Sequence, residues 1–88
     1  MTDWQALEKK YYFQVAKRLP VTIVKGQGVR VWDDQGKPYI DCIAGWAADN
    51  LGHCHPAIVE AIIDQARTLT HTSNGVYSVP QVKLAQLL

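Results

Sequence analysis

The chain has 88 residues, of which 48% are apolar and 19% charged, and nine basic against eight acidic side chains give it a net charge of +1. That length holds one small domain, which buries about 60 to 68% of its unfolded surface, and the apolar content predicts a compact fold rather than a disordered tail. The scattered charge offers no basic stripe for nucleic acid, and no run approaches the roughly 18 apolar residues of a membrane span.

Acidic Asp3 and Glu8 stand near the start with no apolar signal-peptide region, so a cytoplasmic location is expected. Two cysteines, Cys42 and Cys54, do not make a disulfide framework and are expected as reduced thiols. Along the chain, Thr2 followed by Gln5 fits a capping box, and Trp4, Leu7, Tyr11 and Val15 share one helical face. A first helix to about Arg18 is predicted, stopped by Pro20, which turns Leu19 away from helical dihedrals.

From Val21 the residues become β-branched. Val21–Val24, Gly26-Gln27-Gly28 and Val29–Trp32 read as short strands with hairpin glycines. Asp33-Asp34-Gln35-Gly36 supplies turn chemistry, and Pro38–Ile43 reads as the returning strand of a β-meander.

Ala44 to Cys54 is small and loop-like, after which His55 caps a helix opened by Pro56, with Ile58, Ile62, Ala66 and Leu69 as its expected buried stripe. His71-Thr72-Ser73-Asn74-Gly75 interrupts that pattern. Ser78-Val79-Pro80-Gln81 is a second capping box, opening a helix with Val82, Ala85 and Leu88 on one face. Leu87-Leu88 carries no stop signal, so the chain is expected to be one end of something larger. The organisation is therefore read as helix 1–20, meander 21–43, Gly-His-Cys-His-Pro loop 44–56 and a helix-loop-helix 57–88 that is cut short.

Several constellations invite chemistry. His53-Cys54-His55 with Cys42 and His71 has nitrogen and sulfur for zinc, but not the C-x2-C or H-x3-H spacing of a tetrahedral site. Cys54 and His55 are chain neighbours, whereas a nucleophile and its base come from separate segments. Gly26-Gln27-Gly28 lacks the third glycine of a dinucleotide loop and leads into a strand. Asp33 and Asp34 read as turn residues. Trp46 and Tyr77 stand in loop-like segments between small residues, where an aromatic either walls a pocket or packs in a core.

Val31-Trp32-Asp33-Asp34-Gln35-Gly36-Lys37-Pro38-Tyr39-Ile40-Asp41, then Leu51-Gly52-His53-Cys54-His55-Pro56, Ser73-Asn74 and Pro80–Ala85 together resemble the opening of class III aminotransferases that use pyridoxal phosphate. The resemblance covers nearly the whole chain and is closest to acetylornithine aminotransferases. Ornithine, succinylornithine, 4-aminobutyrate and diaminopelargonate relatives share most of these signals. It implies an α+β chain, the N-terminal segment of a fold-type I pyridoxal-phosphate-dependent transferase: helix, small antiparallel β-meander, then helices.

The resemblance further implies amino transfer from an acetylornithine-like donor to 2-oxoglutarate, of the arginine-biosynthesis type, in a homo-oligomer with active sites between subunits. Trp46, Tyr77, Ser73 and Asn74 are then the substrate-binding candidates. Trp46 replaces an aliphatic residue common in the subgroup, and Gly75-Val76 stand where a larger apolar residue and an aromatic are frequent, which thins the pocket wall. No catalytic, cofactor-binding or metal residue is assigned. None of the six lysines, Lys9, Lys10, Lys17, Lys25, Lys37 and Lys83, stands in the family's Schiff-base context, so the isolated chain is expected neither to bind the cofactor nor to catalyse. The alternatives are a stand-alone non-catalytic interaction module derived from such an enzyme, and an unrelated small metal-binding protein.

Overall fold

A computed structural model describes residues 1–88, which divide into two units, Met1–His55 and Pro56–Leu88. The first contains helix α1 (Trp4–Tyr11), strands β1 (Ile23–Gln27), β2 (Arg30–Asp33) and β3 (Pro38–Ile40), and the single turn α2 (Ala44–Ala47). The second contains α3 (Pro56–Thr68) and α4 (Val79–Leu87). The class is α+β, as the sequence predicts.

Helix α1 is shorter than its apolar periodicity suggests. Its N-cap is Asp3, not Thr2, and the Asp3 carboxylate accepts from Ala6 N–H at 3.0 Å. At the other end Tyr12 is already extended. The Glu8 carbonyl still accepts from Tyr12 N–H at 2.9 Å, and the Gln14 side chain folds back to donate to the Tyr12 carbonyl at 3.0 Å, a group the next helical turn would have used. Arg18, expected inside the helix, instead reaches back to the Glu8 carboxylate at 2.8 Å. That contact, with a lesser bond from Gln14, holds the Glu8 carboxyl below its ordinary range.

The three strands form one antiparallel sheet in the order β1-β2-β3, the meander expected from the β-branched runs. Gln27 pairs with Arg30, leaving Gly28-Val29 as the hairpin turn, and Gly28 supplies the positive φ of 57° that the first position of a two-residue turn favours. The second hairpin turns on Asp33. Its carboxylate accepts from Gln35 N–H (3.0 Å), Lys37 N–H (2.8 Å) and the Tyr39 hydroxyl (3.0 Å). Lys37 N–H is the main cause of the lowered Asp33 pKa, with Tyr39 and Gln35 adding to it. Asp33 is thus a turn organiser, as its position implied.

Val31, in the middle of the central strand, is the one buried apolar side chain, at 8% exposure. The compact core anticipated from composition is therefore not formed within this chain. The stripe expected on α3 is open, with Ile58 48% and Ile62 62% exposed, and the half-buried positions of the helix are Val59 and Ile63 instead. Periodicity identifies which face is apolar but does not provide the surface that covers it. Ser78 occupies the N-cap of α4 without a side-chain capping bond, so the second capping box is present in sequence only.

Candidate functional site

The segment after β3 is organised by one carboxylate. Asp41 is tied to the sheet through its own N–H, which donates to the Val29 carbonyl at 2.8 Å. Its Oδ1 accepts from Ile43 N–H (3.0 Å) and Ala44 N–H (2.9 Å), while Oδ2 lies 2.7 Å from Nε2 of His53. An ionised carboxylate only accepts, so Nε2 carries the hydrogen of that bond. These contacts, led by Ala44 N–H and followed by His53 and Ile43 N–H, lower the Asp41 pKa from 3.8 to about 2.

His53 is itself fixed from two sides. Its backbone forms a bridge with Gly28, with Gly28 N–H donating to the His53 carbonyl at 3.0 Å and His53 N–H to the Gly28 carbonyl at 2.8 Å. Its ring stands against Gly26, where a Cβ would come within 2.7 Å of His53 Cγ. Gly26, read as hairpin punctuation, thus lies within β1 and has another purpose: its missing side chain lets the His53 ring lie directly on that strand. On its far side, His53 Nδ1 is 3.7 Å from an Asp49 carboxylate oxygen.

Between Asp41 and His53 the chain makes a left-handed turn. φ is 52° at Ala44, 61° at Gly45, 64° at Trp46 and 64° at Ala47. Gly45 adopts this freely, but Ala44, Trp46 and Ala47 each cost about 1–2 kcal/mol there. Three such non-glycine residues within four persist only where surrounding contacts over-determine them. The contacts are Asp41's bonds at the entrance, Ala47 N–H to the Ile43 carbonyl (2.9 Å) and Asp49 N–H to the Ala44 carbonyl (3.0 Å). The product is a projecting Trp46, 92% exposed. Beside it a cavity of about 320 Å³ is lined by Asp41, Cys42, Ala47, Asp49 and His53 among others. Trp46 does not line it.

The other candidates lie in the second unit. Ser73 Oγ accepts from Gly75 N–H at 3.0 Å, shaping the turn after α3. Ser73 and Asn74 line a cavity of about 350 Å³ together with Gln65, His71, Ser78 and Gln81. Tyr77 stands outside that cavity and is 99% exposed. Ser73 and Asn74 are therefore brought together, whereas Tyr77 is displayed separately and Trp46 belongs to the other unit.

Cys42 and Cys54 are exposed free thiols, and no three His, Cys, Asp or Glu side chains gather in a way that could hold a metal ion. Lys10, Lys25 and Lys37 lie over the rings of Tyr11, Trp32 and Tyr39 at 4.9, 4.8 and 5.1 Å, and no lysine lines either cavity beside the candidate residues. Sequence reasoning weighed His53 only as a metal ligand and gave Asp41 no role. The available signal was an aspartate two and three residues ahead of a Gly-containing small-residue run, the arrangement in which a carboxylate caps backbone N–H groups.

A helix, a three-stranded antiparallel meander and a clasped loop leading into a Pro-started helix make up this segment. The family description "Aminotransferase class-III" matches residues 11–88, and the chain belongs to that family. Acetylornithine aminotransferase of Methanocaldococcus jannaschii is 55% identical over 86 residues, covering 98% of this chain and 22% of that protein. The crystal structure of acetylornithine aminotransferase from Elizabethkingia anophelis superposes with a TM-score of 0.90 at 40% identity, covering 94% of this chain and 22% of the other. Plasmodium falciparum ornithine delta-aminotransferase gives a TM-score of 0.89 at 32% identity, covering 97% and 23%. The chain thus spans about a fifth of the length of the relatives it matches.

Proposed function

We propose that the protein to which this segment belongs transfers an amino group from an acetylornithine-like donor to 2-oxoglutarate. The observation that carries this reading is the 55% identity to an acetylornithine aminotransferase across 98% of the chain, joined to a 0.90 TM-score with a second enzyme of that name. Class III aminotransferases depend on pyridoxal phosphate, which serves as the amino carrier and electron sink when bound. The side chains of this segment do not fit its covalent anchor. Three of the lysines lie over aromatic rings and none lines the candidate cavities, so no step is assigned to them.

In this reading the segment contributes substrate-side wall. Trp46 offers a large rigid aromatic surface on a strained turn, and Ser73 and Asn74 offer hydroxyl and amide groups beside a cavity. Tyr77 adds an exposed ring with a hydroxyl. Such a wall would bind and orient the donor and exclude water. The wide apolar exposure on α3 and α4 suits a protein completed by further chain and by a second subunit, and the proposed enzyme is a cytoplasmic homo-oligomer. No helix is long and apolar enough to cross a membrane.

The test is glutamate formation from 2-oxoglutarate by the complete, pyridoxal-phosphate-loaded enzyme, with acetylornithine, ornithine and 4-aminobutyrate in competition. Acetylornithine should give the highest kcat/KM, and a higher value for either competitor would reassign the donor. Trp46→Ala and Tyr77→Ala should narrow that preference while the cofactor's visible absorbance persists. Loss of the absorbance in both variants would instead make these rings structural.

A further inference from the structure

We propose that Asp41 and His53 are positioning residues that clasp the left-handed turn and thereby fix where Trp46 is presented to the amino donor. This rests on the substrate-side reading of Trp46 given above, and the clasp itself stands on geometry independent of it.

Four consecutive residues with φ between 52° and 64° do not hold their conformation unaided, because three of them have no preference for that region. The constraint enters at the two ends. At the entrance Asp41 Oδ1 gathers the N–H groups of Ile43 and Ala44, which orients the first left-handed residue. Its second oxygen grips His53, twelve residues on, at 2.7 Å. His53 is in turn immobilised on the β1–β2 hairpin by its two backbone bonds to Gly28 and by the absence of a side chain at Gly26. A carboxylate with two oxygens committed in opposite directions therefore joins the turn to the sheet. Asp49 closes the remaining side: its carboxylate lies 3.7 Å from His53 Nδ1, and 3.5 Å from the Cβ position of Gly45, directly before Trp46.

None of these groups reaches the exposed indole, so their effect on substrate is transmitted through backbone. A group that misplaces a binding surface without touching the reacting atoms raises KM and leaves kcat largely intact. Removing Asp41 should therefore mimic removing Trp46 kinetically, and removing both should cost little more than either alone.

The experiment uses the complete holoenzyme labelled with 5-fluorotryptophan, the Trp46 resonance being assigned from Trp46→Phe. Asp41→Ala should shift or broaden that resonance and leave those of Trp4 and Trp32 in place. Asp41→Asn, whose side-chain oxygen still accepts from Ile43 and Ala44 but whose NH2 faces the donating Nε2 of His53, should restore it only in part. Gly26→Ala, which displaces the His53 ring from a different strand, should disturb Trp46 in the same direction as Asp41→Ala. In steady-state kinetics Asp41→Ala should raise the amino-donor KM about tenfold, with kcat changed less than about twofold. A Trp46 resonance unmoved in both Asp41→Ala and Gly26→Ala would overturn the proposal. Should Asp41→Ala fail to fold, Gly26→Ala decides by the same criterion. A resonance that responds as stated, in an enzyme whose Trp46→Ala variant keeps the parental donor KM, would uphold the clasp and refute the substrate-side reading instead.

Discussion

Substituting alanine at Gly52 isolates the close approach on which the clasp is built, because the chain carries its own control. Gly36 and Gly52 share the same φ of 83°, and a Cβ at Gly36 meets nothing within 4 Å, whereas at Gly52 it meets the Gly28 backbone: Cα at 3.0 Å, carbonyl carbon and oxygen at 3.1 Å. Both substitutions incur the left-handed penalty of about 1–2 kcal/mol, offset by about 0.4–1 kcal/mol from stiffening the unfolded chain. Only Gly52→Ala adds overpacking against backbone that cannot rotate aside, about 1–3 kcal/mol. The expected difference between the two variants is that last figure, or about 5- to 150-fold in an opening equilibrium. Native-state hydrogen exchange reads it at the amides of Gly28 and His53, the two donors of the bridge. Equal exchange at both amides in the two variants would refute the contact and, with it, the argument that glycine is required there.

Val31→Ala removes the one buried apolar side chain and should cost about 1.5 kcal/mol, two methylene equivalents, in urea unfolding of the protein. Asp3→Ala removes the N-cap of α1 and should cost that helix about 1 kcal/mol, read as increased exchange of the Ala6 amide. The Asp41 pKa is depressed in the folded state, from 3.8 to about 2. Its contribution is therefore fully present above about pH 4 and lost as pH falls toward 2. Carbon-13 titration of the Asp41 carboxyl checks this, Asp41→Asn should remove the corresponding acid-dependent loss of loop order, and titration near 3.8 would contradict the hydrogen-bond assignment.

What sequence reveals here follows the range of each interaction. The Asp33–Gly36 turn was legible because its hydrogen bonds close within four residues, and the meander because β-branched runs and glycine turns are local signals. The end of α1 at Tyr11 was not, since the Tyr12 carbonyl beyond it is met by a side chain, that of Gln14, rather than by a further helical turn. Ala44-Gly45-Trp46-Ala47 carries no propensity for a left-handed turn except at Gly45. That conformation accompanies an aspartate–histidine contact twelve residues apart and a glycine on a third segment. Of the site, the candidate residues could be named from resemblance, but the groups that hold Trp46 in place could not. The apolar side of α3 was visible as a pattern, whereas the single face expected on α4 is not formed: Val79, Val82, Leu84 and Leu87 spread around that helix, all exposed, and Leu88 lies past its end.

The pairing of Gly28 with His53 means that everything from Val29 to Gly52 departs from and comes back to one point on the hairpin. Because the entropy of closing such a circuit grows only logarithmically with its length, a few residues added at its tip, around Asp34-Gln35, should alter little at the crossing. A single backbone cut at that tip should likewise leave both ends tethered, so this region tolerates grafted sequence where the crossing itself does not.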